Sequence, residues 1–222
     1  MAEDETGVAV ASSDETDDAV VSAACVSQVF GDRADLAWRY HELLATRGTE
    51  WGLLGPREAG RLWSRHILNS AALAGLIPSG AAVLDVGSGA GLPGIPLAIA
   101  RPDLSVTLLD SLLRRVTFLQ QAVDELGLGG QVLVRRARAE ETSRRYDVVV
   151  ARAVAPLTKL VGWCEPLVGA SGVLLALKGD GAEAEVKASA TVLRRRALTA
   201  RVVVLDAGPG VPPATAVEVV RL

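Results

Sequence analysis

The chain has 222 residues, half of them apolar, which suits a single domain with appendages around a core of Val, Leu and Ala, since aromatics make up only 4%. It has no run of the ~20 uninterrupted apolar residues that a membrane span needs, and its acidic start lacks the basic-then-apolar order of a signal peptide. Two cysteines, Cys25 and Cys164, and two histidines, His41 and His66, give neither a disulfide framework nor a metal-ligand cluster, so the expectation is a cytoplasmic, metal-free protein with no membrane anchor.

In chain order, residues 1–18 come first. They hold Glu3, Asp4, Glu5, Asp14, Glu15, Asp17 and Asp18 without a Lys or Arg, and read as a disordered acidic tail. The net charge is −3, but outside the tail 23 basic residues face 19 acidic ones. The body is therefore mildly basic and admits an anionic partner without demanding one. Residues 19–78 read as an N-terminal helical region. Leu36, Tyr40, Leu43 and Leu44 recur at helical spacing between about Asp32 and Thr46, with Gly48 as the stop. A second helix is predicted from about Pro56 to Ala74, with Trp63, Ile67, Ala71 and Ala74 on one face and Arg61, Arg65 and Asn69 on the other.

Residues 79–222 change pattern. Apolar runs of strand length, Ala82–Val86, Val106–Leu109, Val132–Val134, Asp147–Ala151, Val173–Leu177, Val202–Leu205 and Ala216–Val220, are separated mostly by helical patterns. One of these is Leu112, Val116, Leu119, Val123 and Leu126. Such alternation predicts an α/β fold with a mainly parallel sheet covered on both faces. The linker Ala207–Thr215 is too short for a helical crossover, so the last two strands are expected to close the sheet edge as an antiparallel hairpin.

Val83-Leu84-Asp85-Val86-Gly87-Ser88-Gly89-Ala90-Gly91-Leu92-Pro93-Gly94 runs from a strand into a glycine-rich turn and the first turn of a helix. In an open parallel sheet that turn lies where ligands bind. Gly89, Gly91 and Gly94 satisfy the dinucleotide spacing, a weak signal by itself. Two features favour S-adenosylmethionine: the series Gly87, Gly89, Gly91, and the acid Asp85, which suits a ligand carrying an ammonium and a sulfonium better than a pyrophosphate. A nicotinamide-dependent oxidoreductase, a non-catalytic nucleotide-binding regulator and a ligand-free turn remain open at this point. Asp110 ends the second strand about 20 residues later, the place of a ribose-binding carboxylate in either nucleotide class, or of a plain helix-capping acid.

At the ends of later strands stand Arg152 and Lys178. Arg152 offers a guanidinium to the donor carboxylate, a phosphate or guanine O6, or else a structural ion pair. Lys178 is placed equally well for the crevice or for solvent. His66 suits a substrate contact or a satisfied surface position. Cys164, within Trp163-Cys164-Glu165-Pro166, reads as core, as do Trp51 and Trp63. Arg135, Arg136, Arg138, Arg144 and Arg145 form a phosphate-binding patch or a solvated face.

The loop Asp85–Leu97, the run Leu108-Leu109-Asp110-Ser111-Leu112, Arg138-Ala139-Glu140-Glu141, Ala151-Arg152-Ala153-Val154-Ala155-Pro156-Leu157, Leu177-Lys178-Gly179 and His66-Ile67-Leu68-Asn69-Ser70 together resemble the bacterial RsmG/GidB family of 16S rRNA guanine-N7 methyltransferases. The resemblance runs from about Trp38 to Gly179. It implies a Rossmann-like S-adenosylmethionine-dependent methyltransferase fold, with a mainly parallel seven-stranded sheet, a C-terminal antiparallel hairpin and N-terminal helices. It also implies methylation of N7 of a single guanine, guanine 527, in 16S ribosomal RNA of the small subunit, by a monomer. Asp85, Gly87, Gly89, Gly91, Leu92, Asp110, Ser111, Ala139, Glu140 and Arg152 are then the donor-binding candidates. Arg152, Lys178 and His66 are the catalytic ones, and the base approaches between Arg152 and the His66 helix. Asn69 stands where the family usually has Asp, which puts an acid-dependent role there in doubt. Guanine N7 has a free lone pair and no proton, so positioning rather than base catalysis is required.

Overall fold

The computed structural model describes Asp18 and residues 21–222, so of the tail expected over 1–18 all but Asp18 lies outside the described residues. Seven strands form one sheet: β1 (Ala82–Val86), β2 (Ser105–Asp110), β3 (Val132–Arg136), β4 (Tyr146–Arg152), β5 (Val168–Lys178), β6 (Leu198–Leu205) and β7 (Ala214–Arg221). Their order across the sheet is β3-β2-β1-β4-β5-β7-β6. The first five are parallel, and β7 runs antiparallel between β5 and β6, so the expected edge hairpin is present. The strand order reverses between β1 and β4, which puts a crevice at their carboxyl ends.

Alternation along each strand fills two cores. Val83 and Val148 face the side covered by α4 (Gly94–Ala100) and α5 (Leu113–Glu125), while Leu84 and Val149 face α6 (Leu157–Cys164) and α7 (Ala182–Arg195). The N-terminal helices α1 (Ala23–Phe30), α2 (Ala34–Leu43) and α3 (Leu68–Ala71) join the first core. Helix α1 has no clear apolar stripe in the sequence. Ser22 starts it, with Oγ accepting from the Cys25 amide at 3.2 Å.

Three expectations need correction. Leu112 is not on the buried face of α5; it precedes the helix in extended conformation and is exposed, while Phe118, Leu119, Ala122 and Val123 carry the packing. Strand β6 begins at Leu198 rather than Val202, because Thr199 and Arg201 point to solvent from an edge strand and hide its apolar alternation. The second predicted helix is a broken one. A 3₁₀ segment over Pro56–Arg61 leads into a wide π turn over Leu62–Ile67, then α3, then a second 3₁₀ turn over Ala72–Leu76. The wide turn buries Leu62, Trp63, Ser64, His66 and Ile67 together, so His66 is no surface histidine.

Asp18, grouped with the tail by its sequence, is instead tied to this segment. Its Oδ1 accepts from the Trp63 and Ser64 amides, both at 3.0 Å, as a capping carboxylate does. Asp18→Ala is therefore expected to lower stability by ~1 kcal/mol. An unchanged denaturant midpoint would show that the cap is not formed in solution.

Candidate active site

The glycine turn sits at the end of β1, in the crevice between β1 and β4. Gly87, Gly89 and Gly91 all have positive φ, which a side chain at these positions would oppose. The turn is built from below. Asp85 is wholly buried, and its Oδ2 accepts from the Gly94 amide at 3.0 Å, while Oδ1 has no partner. Ser88 Oγ donates to the Asp85 carbonyl and accepts from the Leu109 amide, and Tyr40 donates its hydroxyl to the Ala90 carbonyl at 2.8 Å. Asp85 was expected to face a ligand. The structure turns it away, because its carboxylate joins the strand end to the first turn of α4. Burial pushes its pKa up to about 7.

Above the turn, the upper face is open. A Cβ on Gly89 would approach only the Gly87 carbonyl, at 3.8 Å. Asp110 flanks this face: its Oδ2 accepts from the Gly89 amide at 3.1 Å and from Arg115 at 3.3 Å, and its Oδ1 accepts from the Leu112 amide. The Ala137 amide donates to the Asp110 carbonyl, which brings the turn Ala139–Glu141 to the same rim. Glu141 folds back to accept from the Arg138 amide, whereas Glu140 and Ser111 are exposed and Leu92 and Ala139 are buried. The structure thus gathers Gly87, Gly89, Gly91, Asp110, Ser111, Ala139 and Glu140 along one side of the crevice.

On the other side of the crevice is an open cleft of about 790 Å³, lined by Ser64, Arg65 and Asn69 of the broken helix, by Arg152–Pro156 after β4, and by Lys178 to Asp180 after β5. Arg152 closes its floor. Its Nη1 donates to the His66 carbonyl at 3.2 Å and to Ser70 Oγ, and its Nη2 donates to His66 Nδ1. His66 Nε2–H donates in turn to Glu58 Oε2 at 2.6 Å. Burial, then the Arg152 charge, push the His66 pKa down to about 4. Both ring nitrogens are engaged, so His66 is not a free base; it stands behind Arg152. Burial also lowers the Arg152 pKa, to about 10, which leaves it a cation at neutral pH.

Lys178 also changes role. Its Nζ donates to the Ala155 carbonyl at 2.9 Å and to Glu185 Oε2 at 2.8 Å, and Glu185 accepts from the Leu157 amide as well. The lysine therefore holds the loop after β4 rather than reaching for a substrate. That loop needs holding: Ala153 has φ +53°, and Val154 packs under Gly87, where any Cβ would meet its Cγ2 at 2.8 Å. Cys164 lies in the second core with its pKa pushed up to about 12, first of all by burial.

The family model described as rRNA small subunit methyltransferase G, GidB, matches residues 33–207. A protein named ribosomal RNA small subunit methyltransferase G from Kineococcus radiotolerans is 54% identical over 85% of this chain and 75% of its own length. One of the same name from Thermobifida fusca is 52% identical over 89% and 84%. The chain belongs to the rRNA small subunit methyltransferase G family. Among solved structures, a tRNA methyltransferase of B. subtilis shares the fold with a TM-score of 0.55 at 13% identity, over 69% of this chain and 65% of its own. An O-methyltransferase from neocarzinostatin biosynthesis shares it at 0.54 and 21%, over 70% and 56%. Family membership decides between the two nucleotide readings of the glycine turn in favour of the methyl donor.

Within this family frame, Tyr40, Glu58 and Glu185 are site-building residues outside the motif runs, while Ser70 and Val154 lie inside them without having been given a role. Glu58 and Glu185 act only through their partners, His66 for the first and Lys178 with the Leu157 amide for the second. Tyr40 looked like one more apolar position of α2.

Two buried groups titrate with opposite sign. His66 has its pKa below the usual value, so between about 6.5 and 4 the unfolded chain takes up a proton that the native state refuses, and stability falls as pH falls. Asp85 has its pKa above the usual value, so across about 7 to 3.8 the native state takes up the proton and stability rises as pH falls. His66→Gln should therefore gain on the wild type by roughly 2–3 kcal/mol as pH goes from 7 to 4. Parallel stability curves for the two proteins would show that His66 is not held neutral.

Proposed function

We propose that the chain transfers a methyl group from S-adenosylmethionine to N7 of a single guanine in 16S ribosomal RNA, with the glycine turn and Asp110 holding the donor and the Arg152 cleft receiving the RNA. The observation that carries this reading is the meeting of the two surfaces at one crevice, the donor bed after β1 and the cleft after β4, in a chain of the rRNA small subunit methyltransferase G family.

The residues present fit the donor. Gly89 leaves its face clear for a ligand to lie on the backbone, and Asp110 stands beside it with one acceptor position on Oδ1 left for a ribose hydroxyl. Ser111, Ala139 and Glu140 would border the adenine, Gly87, Gly91 and Leu92 the rest of the nucleoside. When bound, the donor supplies an electrophilic methyl on a sulfonium. The protein's own part is to bind, orient and exclude water. No residue has to remove a proton, because N7 carries none, and His66, engaged on both nitrogens, is consistent with that. Asn69 lines the cleft with its amide donating to the Ser64 carbonyl, a part that needs no acid. Among the described residues no helix is long and apolar enough to cross a membrane. A monomer acting in the cytoplasm on the small subunit fits this reading.

The product gives a direct test. Methylation at N7 fixes a positive charge on the ring, and the reduced base becomes a site of strand scission with borohydride and aniline. RNA of the small subunit from cells lacking this protein should lose one such site and regain it when the gene is restored. A changed methyl at an adenine or cytosine instead would contradict N7 transfer. In the purified protein, Asp110→Ala is expected to weaken donor binding by ~2–3 kcal/mol in calorimetry, as for lost charged hydrogen bonds. Unchanged affinity in the folded variant would remove Asp110 from the donor bed.

A further inference from the structure

Arg152 has five N–H donors. Three are spent on the His66 carbonyl, Ser70 Oγ and His66 Nδ1, all through Nη1 and Nη2. Left over are Nε–H and the second Nη2–H, which lie side by side along one edge of the planar group, on a residue that lines the cleft. Such an edge takes two acceptor atoms at once.

The orientation of that edge is set from behind. With Nδ1 accepting and Nε2 donating, His66 is neutral and held in one tautomer. Arg152 and Glu58 impose this tautomer from opposite sides, since a guanidinium can only donate and a carboxylate can only accept. Burial and the Arg152 charge keep the ring unprotonated, against the opposing pull of Glu58 and with Arg65 nearby.

The chemistry of the product then limits what the edge can hold. The common pairing of an arginine edge with guanine uses O6 and N7. Here N7 is the nucleophile, and a donor on its lone pair would block attack. A phosphodiester offers two oxygens with matching geometry and leaves the base untouched. Arg65 adds a second cation to the same cleft.

We propose that Arg152 anchors a phosphodiester of the RNA at the target nucleotide, and that Glu58 is a positioning residue that aims it through His66. This rests on the rRNA methyltransferase reading above. The donor's own carboxylate is the other oxyanion within the same chemistry, and the experiment separates the two.

The test uses the full chain and small ribosomal subunits lacking the modification, with Glu58→Ala, Glu58→Gln and Arg152→Lys. Methyl transfer is measured against subunit concentration, donor affinity by calorimetry, and the His66 tautomer by ¹⁵N NMR. Glu58→Ala should raise KM for subunits by about tenfold, the loss expected of a charge-assisted hydrogen bond, with donor affinity unchanged. Its His66 should stay in the Nε2–H form, since Arg152 still donates to Nδ1, while the Nε2–H signal loses the shift of its bond to a carboxylate. Glu58→Gln, which keeps an acceptor, should recover most of the loss. Arg152→Lys keeps the charge but not the edge and should match Glu58→Ala in KM. If Glu58→Ala does not fold, the Gln and Lys variants carry the comparison. Weakened donor binding with an unchanged KM would assign the edge to the donor carboxylate and overturn the proposal. A fall in kcat alone would place Arg152 on the base and overturn it too, as would wild-type constants in Glu58→Ala. Failure of the wild-type protein to methylate subunits would instead sink the underlying reading.

Discussion

A single buried carboxylate organises the crevice. Asp85 ends β1 and accepts from the Gly94 amide, so the start of α4 is pinned to the strand that precedes it. The glycine turn between them is then short, closed and fixed in shape. There is little slack: a Cβ on Gly94 would meet Leu108 Cδ2 at 2.3 Å and Asp85 Oδ2 at 2.8 Å. Burying a carboxylate with one oxygen unpartnered is costly, and the raised pKa expresses that cost. What the fold gains is a fixed backbone turn with open space over Gly89.

Everything else at the site is held relative to that turn by polar contacts that span long stretches of chain. Asp110 ties β2 to the turn through the Gly89 amide. On the β4 side, the backbone passes through a strained residue, Ala153, and two clamps stand on either side of it. Arg152 is tied to His66 and Ser70 of the broken helix, and Lys178 with Glu185 grips Ala155 and Leu157. Between the clamps, Val154 is pressed beneath Gly87. A displacement of the cleft loop is therefore felt by the glycine turn, which couples the two sides of the crevice through packing.

The sheet was largely legible because parallel strands buried on both faces leave near-continuous apolar runs, and all seven runs became strands. The edge strand β6 was misplaced at its start because Thr199 and Arg201 there face water. The glycine-turn side of the crevice was legible as a structural feature because glycines and a strand-end acid cluster within about 25 residues of sequence. The cleft side was not. Lys178 looked like a crevice residue, since its position at a strand end carries no sign of the Glu185 that occupies it. His66 suited a substrate contact or a surface position equally, and the wide turn over Leu62–Ile67 carries it inward, behind Arg152. Asp85 was read for the charge it offers a ligand, when its work is on a backbone amide nine residues on.

The measurement that bears most directly on this arrangement is a crystal structure of the protein with S-adenosylhomocysteine. The expected result has a ribose hydroxyl on Asp110, the nucleoside lying on Gly89, and Asp85 still beneath the turn on the Gly94 amide with no ligand contact. A ribose bound away from Asp110, or a turn rearranged so that Asp85 reaches the ligand, would contradict it.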